Sequence, residues 1–164
     1  MPDMLCSLLQ IPPIGELLEH LRAEDIYIRR PNPWEQTALR EFITAHFSQG
    51  WADETSVAFA HQPVTAFVAM QRGKIIGFAA YECSRRDYFG PTGVDPALRG
   101  KGVGKALFLA ALHGLRELGY TYAVIGDAGP VNFYRACSGA IDIPFGDGKG
   151  VYTLKEDPGI SSLK

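Results

Sequence analysis

Cysteine is scarce in this chain: Cys6, Cys83 and Cys137 are the only three, and they lie far apart. An odd count with no C-x-x-C spacing encodes neither a disulfide framework nor a zinc knuckle. Histidine is as sparse, and His20, His46, His61 and His113 form no H-x-x-x-H pair. The expectation is no metal. Charge of one sign is also lacking: 16 Lys and Arg stand against 18 Asp and Glu, a net charge of −2 with a pI near 6.1. No whole-domain basic footprint for nucleic acid exists. Long apolar runs are missing too. Leu107-Phe-Leu-Ala-Ala-Leu112 falls far short of the ~18 residues a membrane span needs. The opening Met1-Pro-Asp-Met-Leu-Cys6 carries an acid and no basic region, unlike a secretory signal. The chain is expected to be cytoplasmic, with neither nucleic acid nor membrane as partner.

What is present is ordinary in amount. With 164 residues, 46% apolar and 21% charged, the chain has the composition of one globular domain rather than a disordered segment. Ile14 to Leu21 reads as a short amphipathic helix and Asp25 to Arg30 as a half-buried strand. Asn32 and Pro33 open a helix through about Ser48, with Trp34, Ala38, Phe42, Ala45 and His46 on one stripe and Gly50 as its stop. Residues 51–63 are ambiguous. Thr65 to Met70 and Lys74 to Tyr81 read as a hairpin, and Tyr88 to Val94 as a third strand in which Pro91 breaks the pairing. Gly102 to Leu118 carries the strongest 3.6-residue period, closed by Gly119. Tyr122 to Gly126 then gives a strand parallel to the third through a right-handed crossover. Pro130 to Ser138 reads as a helix and Val151 to Leu154 as a last strand. The fold class expected is α/β (α+β) with a single mixed central sheet.

The chemically informative stretch is Val94-Asp-Pro-Ala-Leu-Arg-Gly-Lys-Gly-Val-Gly-Lys-Ala106. Gly100, Gly102 and Gly104 stand between a strand and a helix start, where unpaired backbone N–H groups and the helix dipole favour an anion. Arg99, Lys101 and Lys105 add positive charge. A Walker loop would need glycine at position 99 and Ser or Thr at 106, where Arg99 and Ala106 stand. A dinucleotide fingerprint would need glycine at 105 or 107, where Lys105 and Leu107 stand.

What fits is R-x-x-G-x-G over Arg99, Gly102 and Gly104. Gly93-Val-Asp-Pro-Ala-Leu-Arg-Gly-Lys-Gly-Val-Gly104 resembles the pyrophosphate-binding strand, loop and helix of the GNAT superfamily of acyl-CoA-dependent N-acyltransferases. Phe133-Tyr134 followed by Gly139-Ala140 is similar to that family's F-Y-x-x-x-G-F. The resemblance covers roughly residues 24–155. It divides the chain into an N-terminal helical extension at 1–22, a GNAT-like acetyltransferase domain at 23–155 and a tail at 156–164.

The resemblance implies helices on both faces of a sheet with one splayed strand pair. It implies acetyl-CoA as co-substrate, bound by Val94, Arg99, Gly100, Lys101, Gly102, Val103, Gly104 and Lys105, with the Val94 N–H on the thioester carbonyl. Tyr134 matches the tyrosine that protonates the departing thiolate. The general base is left open: Glu82 and Glu54 are candidates, and Asp87 lies too far back, since seven strand residues span about 23 Å. Trp51, with Glu54, is a candidate wall for the acceptor. The leading reading is transfer of an acetyl group to a small-molecule amine. A non-catalytic acyl-CoA-binding module and acetylation of a protein amine stay open, as does a homodimer.

Overall fold

A computed structural model of the chain describes residues 1–144, 150 and 151. Among these, seven strands form one mixed sheet: β1 (Met4–Ser7), β2 (Ile26–Arg29), β3 (Ala66–Gln71), β4 (Lys74–Tyr81), β5 (Tyr88–Val94), β6 (Tyr122–Ile125) and β7 (Ile141–Asp142). Their order is β2-β3-β4-β5-β6-β1-β7. The pairs are antiparallel except β5 with β6, which is parallel. The crossover between those two strands contains helix α4 (Val103–Glu117). The other helices are α1 (Gly15–Ala23), α2 (Gln36–His46), α3 (Gln49–Ser56) and α5 (Val131–Ser138).

The two larger of three buried clusters hold the sheet from opposite faces. On one side α4 is buried almost all round, from Val103 through Ala106–Leu112 to Leu115. It shares a core with β1, α1 and Tyr134 of α5. Gly77 of β4 lets it approach closely: a Cβ there would lie 3.0 Å from Leu107 Cδ1. A leucine buried in this way contributes about 2 kcal/mol. On the other side Leu39 and Ile43 of α2 and Ala52 of α3 pack on Val68 and Phe78. The strands between carry elements from both faces to the open end of β5.

The structure departs from the sequence reading in three places and resolves a fourth that the sequence left open. Met4–Ser7 is not part of a helical extension: it is a strand inside the sheet, antiparallel to β6 on one side and β7 on the other. The buried stripe of α2 is Leu39 and Ile43, one step round from the expected one, and Trp34 is 80% exposed. Gly50 does not stop that helix. The chain breaks at Phe47, and Ser48 starts α3 by accepting a hydrogen bond on Oγ from Trp51 N at 3.1 Å, which leaves Gly50 within α3. The ambiguous stretch is α3 followed by a 3-10 turn at Val57–Ala60. Of the last expected strand only Val151 is described; its remainder and the 156–164 tail lie outside the described residues.

Candidate active site

Strands β5 and β6 pair at Tyr88↔Val124 and Phe89↔Ile125, and then part. Gly90 adopts φ +119°, a conformation that favours glycine, and Pro91 has no N–H to offer a neighbour. Beyond them β5 stays paired with β4 through Thr92, Gly93 and Val94. Asp95 N donates to Ile76 O on the β4 side at 2.9 Å. By strand alternation the N–H and C=O of Val94 therefore face the opposite way, into the gap. Arg99 Nε donates to Val94 O at 3.4 Å, which folds the guanidinium back over the strand end. The gap is a cleft of about 1100 Å³.

The turn that closes this cleft is shaped by two glycines. Asp95 Oδ1 accepts from Ala97 N at 2.9 Å and starts a single 3-10 turn at Pro96–Leu98. Gly100 and Gly102 then adopt φ +88° and +86° and feed the chain into α4. The first bond of the helix runs from Ala106 N to Gly102 O at 3.0 Å. The N–H groups of Val103, Gly104 and Lys105 thus lie above the ladder and present the positive end of the helix dipole. These three residues line the cleft with Arg99, Gly100 and Gly102. Lys101 does not. Its Nζ turns to Glu24 Oε2 on the C-terminal side of α1, at 3.0 Å.

Tyr134 forms the wall facing this turn. It is 5% exposed and set edge-on against Phe89, Phe108 and Phe133, with ring centroids 6.1, 5.1 and 5.2 Å away. Burial, followed by the nearby Cys137 thiol, pushes its phenol up to about 12. Among the described residues its hydroxyl has no hydrogen-bond partner, although the residue lines the cleft. The adjoining loop between β6 and α5 is held by the residues just before β1: Asp3 Oδ1 accepts from Asp127 N at 2.7 Å, and Pro2 O from Ala128 N at 2.8 Å.

The remaining wall comes from the opposite face of the sheet. Phe47 lies flat on Gly93, where any Cβ would overlap its ring. Trp51 stacks on Phe47 with centroids 5.5 Å apart, and Glu54 follows on the same side of α3; all three line the cleft. Glu82 does not reach it. Its carboxylate accepts from Asp87 N at 2.5 Å in the connection between β4 and β5, at the far end of β5. There burial, then the charge of Glu82, raises the Asp87 carboxyl to about 6. Sequence reasoning missed Phe47, Phe89, Phe133 and Asp127. Phe133 alone was signalled, by its place beside Tyr134.

Residues 62–137 match the model of the acetyltransferase (GNAT) domain. Three solved structures share the fold. One is the GCN5-related glucosamine N-acetyltransferase region of a fungal multi-domain GH3 β-N-acetylglucosaminidase, at 17% identity and a TM-score of 0.70, covering 87% of this chain and 19% of that one. Another is a GCN5-related N-acetyltransferase from Sphaerobacter thermophilus, at 21% identity and a TM-score of 0.68, covering 87% and 48%. The third, a GNAT family acetyltransferase from Brucella melitensis in complex with acetyl-CoA, has 25% identity and a TM-score of 0.55 and covers 76% and 92%. The chain thus spans about a fifth and about half of the first two. No curated protein matches. The matched segment contains both the glycine turn and Tyr134, so residues 62–137 are similar to a GNAT acetyltransferase domain and sit in the fold that the solved structures share.

Proposed function

We propose that this domain transfers the acetyl group of acetyl-CoA to a primary amine of a small molecule, by direct attack of the amine on the thioester. One observation carries the reading. The inward-facing Val94 backbone and the unpaired N–H groups of the first turn of α4 open onto a single cleft. A CoA thioester asks for both: an anion hole for its pyrophosphate and an open strand edge for its pantetheine arm. The chemistry supplied by acetyl-CoA is an activated acyl carbon with a thiolate leaving group.

In this reading the N–H groups of Val103, Gly104 and Lys105 bind the pyrophosphate, with Gly100 and Gly102 keeping the approach clear and the Arg99 and Lys105 side chains adding charge. Lys101, tied to Glu24, takes no part. The Val94 N–H donates to the thioester carbonyl oxygen, where a preorganised donor is worth about 10²–10³ in rate. As the C–N bond forms and the C–S bond breaks, the proton lost by nitrogen is balanced by the one gained by sulfur. Tyr134 stays protonated at neutral pH because burial holds its phenol high. A phenol near 12 is a weaker acid than a thiol of ordinary pKa about 8.5. Tyr134 therefore serves the leaving sulfur chiefly as a hydrogen-bond donor, and water supplies the proton that the thiolate gains and takes up the one that the nitrogen loses.

The test is release of CoA thiol across amino sugars, polyamines and amino acids, with the amide product identified by mass. Amine-dependent release with a matching amide supports the reading. Tight acetyl-CoA binding with no amine-dependent release overturns it.

A further inference from the structure

The glycine turn does not hold itself in place. From Arg99 to Val103, no backbone N–H donates a hydrogen bond among the described residues. The acetyl-transfer reading requires this, because the pyrophosphate needs those donors free. Yet Gly100 and Gly102 are the residue type with the most backbone freedom to lose, and a turn ordered only on binding would weaken the complex. Whatever holds the segment must reach it from outside, on the side away from the cleft.

Helix α1 makes that reach. Lys101 stands between the two left-handed glycines, and its Nζ donates to Glu24 Oε2 at 3.0 Å, from 77 residues away in sequence. Leu17 Cδ1 lies 3.0 Å from where a Cβ of Gly102 would stand, so its side chain rests on the backbone of the turn. Glu24 is itself fixed at both backbone groups. Its N–H donates to Leu21 O at 3.0 Å, and its carbonyl accepts from Gln71 Nε2 of β3 at 3.0 Å. Leu21 is fully buried and anchors this end of α1 in the core. The placement of Glu24 runs against local preference, since a carboxylate at the C-terminal end of a helix faces the negative end of its dipole. The ion pair with Lys101 offsets that conflict.

We infer that Glu24 is a positioning residue for the CoA site: acting through Lys101, with Leu17 beside it, it holds Gly100 and Gly102 in the conformation that aims the free N–H groups at the pyrophosphate. Neither Glu24 nor Lys101 touches the ligand. The inference rests on the acetyl-transfer reading and adds a brace behind its phosphate turn.

The experiment uses the full chain as wild type, Glu24→Gln, Lys101→Met and the two substitutions combined. Long-range charge alone predicts opposite signs, because losing Glu24 would tighten the binding of an anion and losing Lys101 would weaken it. The brace predicts the same sign. Calorimetry should find acetyl-CoA affinity lowered about two- to fivefold by either substitution, the scale of an exposed ion pair. The double variant should lose no more than either single one, because the pair acts as a unit. The loss should appear in KM for acetyl-CoA rather than in kcat. Nitrogen-15 relaxation of the free protein should show Gly100, Lys101 and Gly102 more mobile in Glu24→Gln, with the middle of α4 unchanged. Tighter binding by Glu24→Gln, or losses that add in the double variant, overturns the inference. So does a lowered melting temperature with affinity and turn mobility as in wild type, which makes the pair purely structural. All of these leave the acetyl-transfer reading standing. Failure of the wild-type chain to bind acetyl-CoA brings down that underlying reading, and the inference with it.

Discussion

The two sides of the cleft are built from different materials. The α4 side is backbone: the inward-facing Val94 peptide, two left-handed glycines and the N–H groups above the first helical bond. The α3 side is side chain: Phe47 laid on Gly93, Trp51 laid on Phe47, and Glu54 beyond. Backbone recognition depends on local conformation, which a run of consecutive residues encodes. Side-chain recognition depends on which elements meet, which no local run encodes. The family match follows the same division, including Val94–Lys105 and leaving out Phe47–Glu54. The side inside the family match has a form that a superfamily can share, and the side outside it is where this chain can differ.

The sharpest way to break that contrast is Gly102→Val. The residue stands at φ +86°, and a Cβ there would lie 3.0 Å from Leu17 Cδ1, so a β-branched side chain forces the turn to move. CoA affinity should fall at least 100-fold by calorimetry, in a protein that still melts cooperatively. Unchanged affinity would remove the turn from the binding site.

Tyr134→Phe comes next. It keeps the ring wedged among Phe89, Phe108 and Phe133 and deletes only the hydroxyl. The expected loss is about 10²-fold in kcat, with acetyl-CoA KM little changed. A wild-type kcat with a lowered melting temperature would make the residue purely structural.

Gly104→Ala is gentler. The added methyl would lie 3.7 Å from Val94 Cγ2, an ordinary contact, and alanine favours the helix. Stability should hold or rise while CoA binding weakens by roughly tenfold, since a side chain now stands where the backbone is approached. Tighter binding, or none lost, would show that this helix turn does not meet the ligand.

The smallest effect lies away from the cleft, at Asp87. Its folded-state carboxyl is raised to about 6, so ionisation opposes the fold. Stability associated with the protonated form is full below pH ~4, the ordinary range of an aspartate, and is lost as pH rises through about 6. Asp87→Asn, which tolerates the local φ of +66°, should raise the melting temperature at pH 7.5 and leave it nearly unchanged at pH 4. The cleft chemistry should not respond. A change in acetyl-CoA affinity would tie the two ends of β5 together.

Much of the fold was legible because its signals are local. Strand β5 has the limits expected from its pattern, and α4 those expected to within a residue, because seven strand residues and four helical turns declare their period unaided. Strand β1 was not legible. Met4 pairs with Ile125 and Asp142, more than a hundred residues away, and four residues give too little alternation to announce a strand. The stripe of α2 was misread because Trp34 was counted into it: that residue lies in the 3-10 turn before the helix and stays exposed, while Leu39 and Ile43 take the core. At the site, the glycine spacing and Tyr134 stood in the sequence, whereas Lys101 and Glu82 carried the right chemistry and were claimed by Glu24 and Asp87. Which charge turns to which partner is decided in three dimensions.

The central claim is that backbone amides at the end of β5 and the start of α4 receive the CoA thioester. Titration of the isotope-labelled protein with acetyl-CoA, followed by amide nuclear magnetic resonance, tests it most directly. The account predicts saturable shifts at Val94, Val103, Gly104 and Lys105 that exceed those on β2 and β3. Saturable binding that leaves these four amides unmoved would contradict it.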